Sequence, residues 1–295
     1  MKIHTQFAPG RPLFSFEFFP PKTEPGEAQL FRTLRVLKPL EPAFVSVTYG
    51  AGGSARVKTV EWVERIKKEV GLEVMAHLTC VGSTREEIGE VLERLRQIGA
   101  ENLMAIRGDP PKGGGEFRAV EGGFRYASEL VAFIRERYGD AFSVAGGAYP
   151  EGHPECTSLE ADLQNLKRKV EAGLDFLVTQ LFFNNALYLG FVERARKVGI
   201  EVPIVPGLMP ITNLAQIRRF TEMCGASLPV PLLAQLEKFA DDPQAVLEIG
   251  VEHTTRQALE LLEAGAPGIH FYTLNKSPAT RWVVENLRSR MARAG

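Results

Sequence analysis

The sequence predicts an α/β chain folded as one closed (β/α)8 barrel, the TIM-barrel architecture, spanning residues 1–295 as a single domain. Three observations predict it. Short apolar runs alternate with longer stretches of helical period from end to end, eight strand candidates fall out at that spacing, and polar side chains gather where those strands finish. The strand candidates are residues 13–19, 44–49, 73–79, 102–107, 142–145, 176–180, 204–206 and 268–272. Between them lie amphipathic stretches: Leu30, Leu34 and Leu37, then Ile88, Val91, Leu92, Leu95 and Ile98, recur three and four apart as one buried helix face requires. About eight parallel strands in roughly 250 or more residues fit a closed barrel better than an open sheet with a topological switch point.

Bulk properties narrow the function classes. The 295 residues are 44% hydrophobic and 24% charged, enough to bury a large core and too apolar for disorder. A formal net charge of −1 supplies no electrostatic footprint for nucleic acid. No apolar run reaches the roughly 18 residues of a membrane span, and the first residues lack a signal-peptide core, so a cytoplasmic protein is expected. Cys80, Cys156 and Cys224 are few, scattered and odd in number, which predicts reduced thiols rather than a disulfide framework. His77 and His153 have no third ligand at metal-binding spacing, so no metal site is expected.

In a barrel, catalytic groups cluster at the C-terminal ends of the strands. Here those ends read Glu17, Thr48, His77, Arg107 with Asp109, Gln180 and Tyr272. Glu17 is the most informative. Period-2 alternation sends Phe14, Phe16 and Phe18 to one face and turns Ser15 and Glu17 inward. A carboxyl in apolar surroundings away from a cation has its pKa raised, which suits a general acid near neutral pH. The competing reading pairs Glu17 with a base such as Arg107. Asp109 follows Arg107 and Gly108 in a turn that is either a close backbone approach to a ligand or a rigid surface turn before Pro110 and Pro111. Downstream, residues 148–155 form a stiff polar loop leading to a helix on which Asp162, Asn165 and Lys169 share a face with Arg168 beside it. Such a face is either simply solvated or, beside a barrel mouth, able to grip a pyrophosphate. Gly50 to Ala55 also satisfies G-x-G-x-x-A, the fingerprint of an open dinucleotide-binding sheet, but the six strands that follow fit a barrel loop better.

Taken together, SFEFFPPK at 15–22, FVSVTYGA at 44–51, HLTC at 77–80, RGD at 107–109, YPEGHPE at 149–155, NLKRK at 165–169, Thr179-Gln180 with Phe182-Phe183, Pro206-Gly207 with Pro210, and FYTLN at 271–275 resemble the methylenetetrahydrofolate reductases, in order and across nearly the whole chain. The resemblance implies a barrel binding FAD non-covalently. A nicotinamide coenzyme, NADH or NADPH, reduces the flavin and leaves, and methylenetetrahydrofolate then takes the hydride. It implies Glu17 as the acid that opens the folate's five-membered ring and Asp109 as a second catalytic group contacting pterin and flavin. Thr48, His77, Arg107, Gly108, Asp109, Ala127, Tyr149, His153, Asp162, Asn165, Arg168 and Lys169 match cofactor-binding positions. Gln180, Gln216, Phe220 and Lys276 match folate-binding positions, although Gln216 and Phe220 also read as ordinary helix packing.

Two departures stand out. Lys276 occupies a position where some relatives carry Arg, keeping the charge without the bidentate fork. Gly146-Gly147 resembles a small insertion where the fifth strand feeds the cofactor loop. The chain ends about where the catalytic domain does, so no regulatory domain is expected, and the relatives imply a homo-oligomer. No matched residue separates NADH from NADPH. The competing classes are a non-redox barrel lyase or transferase and a non-catalytic folate- or nucleotide-binding protein.

Overall fold

A computed structural model of the chain describes residues 1–21, 23–49, 53–108, 117–276 and 278–294. Its strands are β1 (Leu13–Phe18), β2 (Phe44–Val47), β3 (Val74–Thr79), β4 (Asn102–Ile106), β5 (Ser143–Ala148), β6 (Phe176–Thr179), β7 (Ile204–Val205), β8 (Gly207–Leu208) and β9 (Gly268–Tyr272). The helices are α1 (Glu24–Leu37), α2 (Gly53–Arg65), α3 (Arg85–Gln97), α4 (Ala127–Tyr138), α5 (Leu159–Glu171), α6 (Asn185–Lys197), α7 (Leu214–Cys224), α8 (Val230–Lys238), α9 (Pro243–Glu263) and α10 (Pro278–Ala294). All eight predicted strand positions carry a strand, and every pairing is parallel in the order β7-β6-β5-β4-β3-β2-β1-β9-β8.

The seventh predicted strand is split by Pro206, which has no N–H to donate to a ladder. Residues before it pair with β6 and residues after it pair with β9, while the Pro206 carbonyl accepts from His270 N at 2.9 Å. The ring of strands is completed through this interrupted segment. That topology overturns the open-sheet reading of the Gly50 to Ala55 stretch, of which Gly50, Ala51 and Gly52 lie outside the described residues.

Gly146 and Gly147 lie within a strand rather than in a loop. β5 runs through both in regular register, with Gly146 opposite Leu177 and Gly147 opposite Val178. A Cβ at Gly146 would stand 2.5 Å from Leu174 Cδ1, so a larger residue there would oblige the leucine to move. A second difference lies between the seventh and eighth strand positions, where α7, α8 and α9 replace the single expected helix. Leu232 and Leu236 of α8 bury against Ile217 of α7, Val246 of α9, and Met209 and Ile211, so the extra helix covers apolar surface that two helices would leave open.

Helix faces follow the periodicity. Leu30, Leu34, Leu37, Ile88, Val91, Leu92 and Leu95 are buried against the outward-facing Phe16, Phe18, Val45, Val47 and Leu103. Thr23 caps α1 through Gly26 N, and Thr84 with Glu87 forms a reciprocal capping box on α3. Inside the ring, the lower layers are apolar: Phe44, Met75, Met104, Ala145, Phe176 and Val205 pack with Ile3, whose segment closes the N-terminal end. Ile3 N donates to Asn102 Oδ1 at 2.8 Å, which anchors that plug.

Gly207 is fixed by crowding at the seam. A Cβ there would stand 2.2 Å from Thr179 O and 2.8 Å from the Tyr272 ring, whose hydroxyl donates to that same Thr179 carbonyl at 2.7 Å. Gly207→Ala is expected to lose about 1–3 kcal/mol of stability by overpacking. Urea unfolding checks this, and a variant as stable as the parent would contradict the packing described.

Candidate active site

Because all strands are parallel, their C-terminal ends open on one mouth. Ser15 lies level with His270 across the β1–β9 pair, and Glu17 lies level with Ser46 across β1–β2. Alternation turns all four inward. The Ser15 hydroxyl and His270 Nδ1 are 2.7 Å apart, and His270 Nε2 lies 3.3 Å from Glu17 Oε2. The Ser46 hydroxyl donates to the same Glu17 oxygen at 3.3 Å. His77 Nε2 comes within 3.3 Å of it as well, near enough for charge attraction but out of line for a hydrogen bond.

This cluster corrects the expected acidity of Glu17. Burial does push the carboxyl up, but the His77 and His270 imidazoles around it outweigh burial and hold its pKa at about 2. Arg107 is not its partner. That guanidinium makes a two-pronged pair with Glu155, both contacts 2.6 Å, and lies 4.9 Å from the centre of the Phe117 ring. The pair bridges the loops after β4 and β5.

The other expected site residues lie as follows. Thr48 directly follows β2 and its N–H donates to Phe18 O at 2.9 Å. Gly108 has φ +83, and a Cβ there would meet Val81 at 2.7 Å, so both conformation and space call for glycine. Asp109 lies outside the described residues. Ala127 opens α4 next to Tyr126, whose carbonyl accepts from Cys80 Sγ at 3.7 Å at the end of β3. Tyr149 packs edge-on against His153, ring centres 4.6 Å apart, and His153 N donates to Asp162 Oδ2 at 3.1 Å. Burial, then the nearby Arg107, lowers the His153 pKa.

On α5, Leu163 and Leu166 are buried while Arg168 donates to Asn165 Oδ1 at 3.0 Å. Lys169 is partly covered, and its ammonium donates to Gly147 O at 2.5 Å. Burial lowers its pKa to about 8, with Asp162 opposing the shift. Gln180 N donates to Ala148 O at 2.7 Å, holding that residue at the end of β6. Gln216 lies in the first turn of α7, and Phe220 packs on the Leu181, Phe183 and Met209 cluster. Lys276 follows a tight turn in which its N–H donates to Thr273 O at 2.9 Å. Thus the loops after β4 and β5 and helix α5 converge on one side of the mouth, with α7 and the 273–276 turn on another.

Sequence reasoning overlooked His270, Ser46, Thr79 and Glu155. His270 had a signal: it stands two residues before Tyr272 and shares its face. Among the described residues, two buried polar atoms near the mouth, His77 Nε2 and Thr79 Oγ1, have no hydrogen-bond partner. Such groups call for a polar ligand. Together with a desolvated Lys169 ammonium beside Asn165 and Arg168, they fit a large phosphate-bearing cofactor.

A depressed lysine pKa carries a stability consequence. Below about pH 8 the folded protein bears the cost of a buried ammonium, and between about 8 and the unfolded value the unfolded chain binds more protons, so stability rises with pH. Lys169→Met should remove that rise and stabilise the ligand-free protein at neutral pH. Melting temperatures of parent and variant from pH 7 to 10 check the sign, and parallel curves would contradict it.

A family model described as methylenetetrahydrofolate reductase matches residues 2–288. The chain is 41% identical over 295 residues to Methylenetetrahydrofolate reductase (NADH) 1 of Arabidopsis thaliana, covering 97% of this chain and 50% of that protein. It is 38% identical over 263 residues to the 5,10-methylenetetrahydrofolate reductase of Escherichia coli (strain K12), covering 89% of this chain and 86% of that one. The chain therefore spans about half the length of the plant relatives it matches. Among solved structures, an uncharacterized protein from Clostridium thermocellum that binds two copies of 5-methyl-5,6,7,8-tetrahydrofolic acid superposes with a TM-score of 0.63 at 15% identity, covering 96% of this chain and 95% of that one. At that identity the likeness concerns the fold alone. Among the described residues, no helix is long and apolar enough to cross a membrane.

Proposed function

The chain belongs to the methylenetetrahydrofolate reductase family, and from that premise we propose that it reduces 5,10-methylenetetrahydrofolate to 5-methyltetrahydrofolate with electrons from NADH or NADPH. The observation that carries the reading is the buried Glu17 carboxylate inside the mouth, in contact with His270 and Ser46 and close to His77. FAD, when bound, supplies a two-electron hydride store between the coenzyme and the folate, which lets the two substrates use the mouth in turn. His77, Thr48, Arg107, Gly108, Ala127 and the 149–169 segment would hold it. Lys169, Arg168 and Asn165 suit its diphosphate, and Tyr149, His153 and Asp162 its remaining polar groups. Asp109 belongs to the same proposal as the second catalytic group.

Opening the folate's five-membered ring frees a nitrogen that must take up a proton. With its pKa at about 2, Glu17 does not hold that proton alone at neutral pH. Glu17 Oε2 is the atom on which His270 Nε2, His77 Nε2 and the Ser46 hydroxyl converge, so a proton delivered there passes through this cluster. Ser15, bonded to His270 Nδ1, fixes the orientation of that ring. Gln180, Gln216, Phe220 and Lys276 would bind the folate, with the Phe220 ring available to stack on a planar ligand.

Purified protein should be yellow, its flavin absorbance bleaching anaerobically with reduced coenzyme and returning on addition of methylenetetrahydrofolate. Stopped-flow reduction with NADH and NADPH in parallel identifies the coenzyme. A colourless preparation that also ignores added FAD would sink the redox reading in favour of a non-redox barrel. Glu17→Gln should slow the folate half-reaction by about 100-fold to 10,000-fold, the usual weight of general acid catalysis, and slow flavin reduction far less. Equal losses in the two half-reactions would remove Glu17 from its assigned role.

A further inference from the structure

Immediately after β9, two consecutive non-glycine residues sit in the left-handed region, Leu274 at φ 52 and Asn275 at φ 58. L-residues avoid this region, and a pair of them persists only where the surroundings over-determine the conformation. The contacts that do so can be named. Asn275 Oδ1 accepts from Phe19 N at 2.8 Å and Asn275 Nδ2 donates to Phe19 O at 2.8 Å, so one amide side chain satisfies both backbone groups of a single residue. In effect the side chain adds a rung to the β1–β9 ladder where the backbone of β9 has turned away. Thr273 Oγ1 donates to Glu17 O at 2.6 Å and accepts from Asn275 N at 3.2 Å. Thr33 of α1 donates to Asn275 O at 3.1 Å, which ties the turn to the first helix as well. Leu274 packs on the same apolar cluster as Phe220.

The Asn275 and Thr273 side chains both bond the backbone at the end of β1, at Phe19 and Glu17. Phe19 is itself 39% exposed, and its N–H and C=O are both held by the Asn275 side chain. A glycine at 275 would adopt the turn at less conformational cost, yet could make neither bond to Phe19. We propose that Asn275 is a positioning residue that fixes the end of β1, and through it the Glu17 carboxylate, against the face of the mouth where the folate reacts. Nothing in the assignment of Glu17, Asp109 or the ligand-binding residues includes it. It deepens the reductase reading and rests on Glu17 working in the folate half-reaction.

Asn275→Gly tests it, because glycine accepts the left-handed turn and the variant keeps the backbone path while losing the clamp. Two measurements are needed. Amide exchange at Phe19, followed on the protein without substrate, should accelerate by about 10-fold or more once its acceptor is gone. The folate half-reaction should fall by about 10-fold to 100-fold relative to flavin reduction by the coenzyme, the scale of a misplaced catalytic group. Asn275→Asp, which keeps an acceptor for Phe19 N but sets a second acceptor against Phe19 O, should leave Phe19 partly protected and the folate half-reaction still slow. If Phe19 exchange accelerates while the ratio of the two half-reactions stays at the parental value in both variants, Asn275 merely closes a loop and the proposal is overturned. Unchanged Phe19 exchange overturns it too. Should the parent protein itself fail to reduce methylenetetrahydrofolate, the reductase reading falls, while the exchange comparison still decides whether the clamp exists.

Discussion

Closing a parallel sheet on itself sends alternate side chains of every strand into one confined space, where they meet whether or not they are neighbours in the chain. In this protein that constraint has two outcomes. Toward the N-terminal end the inward positions hold Phe44, Met75, Met104 and Phe176, and the space fills as an ordinary apolar core sealed by Ile3. Toward the other end they hold Ser15, Glu17, Ser46, His77 and His270, all nearly or wholly buried. A carboxylate in such a place is costly unless neighbours compensate it, and the compensation comes from imidazoles on β3 and β9. The ring also keeps these groups in fixed register, since Ser15, His270, Glu17 and Ser46 lie on paired strands.

Arg107 shows how the same site avoids the simpler pairing. A guanidinium against Glu17 would pair the carboxylate with a cation that does not give up a proton near neutral pH. Instead Arg107 is occupied by Glu155, which also binds the loop after β4 to the loop after β5. His153, in the loop after β5, titrates lower through burial first and the nearby Arg107 second. The consequence is a division of the mouth: imidazoles around Glu17, and fixed cations together with hydrogen-bonding groups around the α5 face.

The strands were readable because buried parallel strands leave short apolar runs, and the inward direction of Glu17 was readable because alternation has a period of two. Its acidity was not, because it is set by His77 on β3 and by His270, 253 residues away on β9, and nothing local to Phe16-Glu17-Phe18 announces either contact. The end of β5 was missed for a related reason: the predicted strand stops at residue 145, and Gly146-Gly147 carry no apolar side chain to extend it, although β5 runs on to Ala148. Asn275 was visible only as part of a family-like motif, since a side chain bonding to the backbone of a distant residue leaves no periodic trace. Helix α8 was missed because the reading assigned one covering helix to each strand, and apolar surface between seventh and eighth strands demanded more.

The proline in the seventh strand gives the ring a seam. On each side of Pro206 only two residues engage a neighbouring strand, whereas β1 shares five matched positions with β9. A hoop stressed uniformly yields at its narrowest weld. Breathing of the native state is therefore expected to begin between the sixth and eighth strand positions, beneath Tyr272, so that the first fluctuations on warming loosen the rim beside α7 before they reach Glu17.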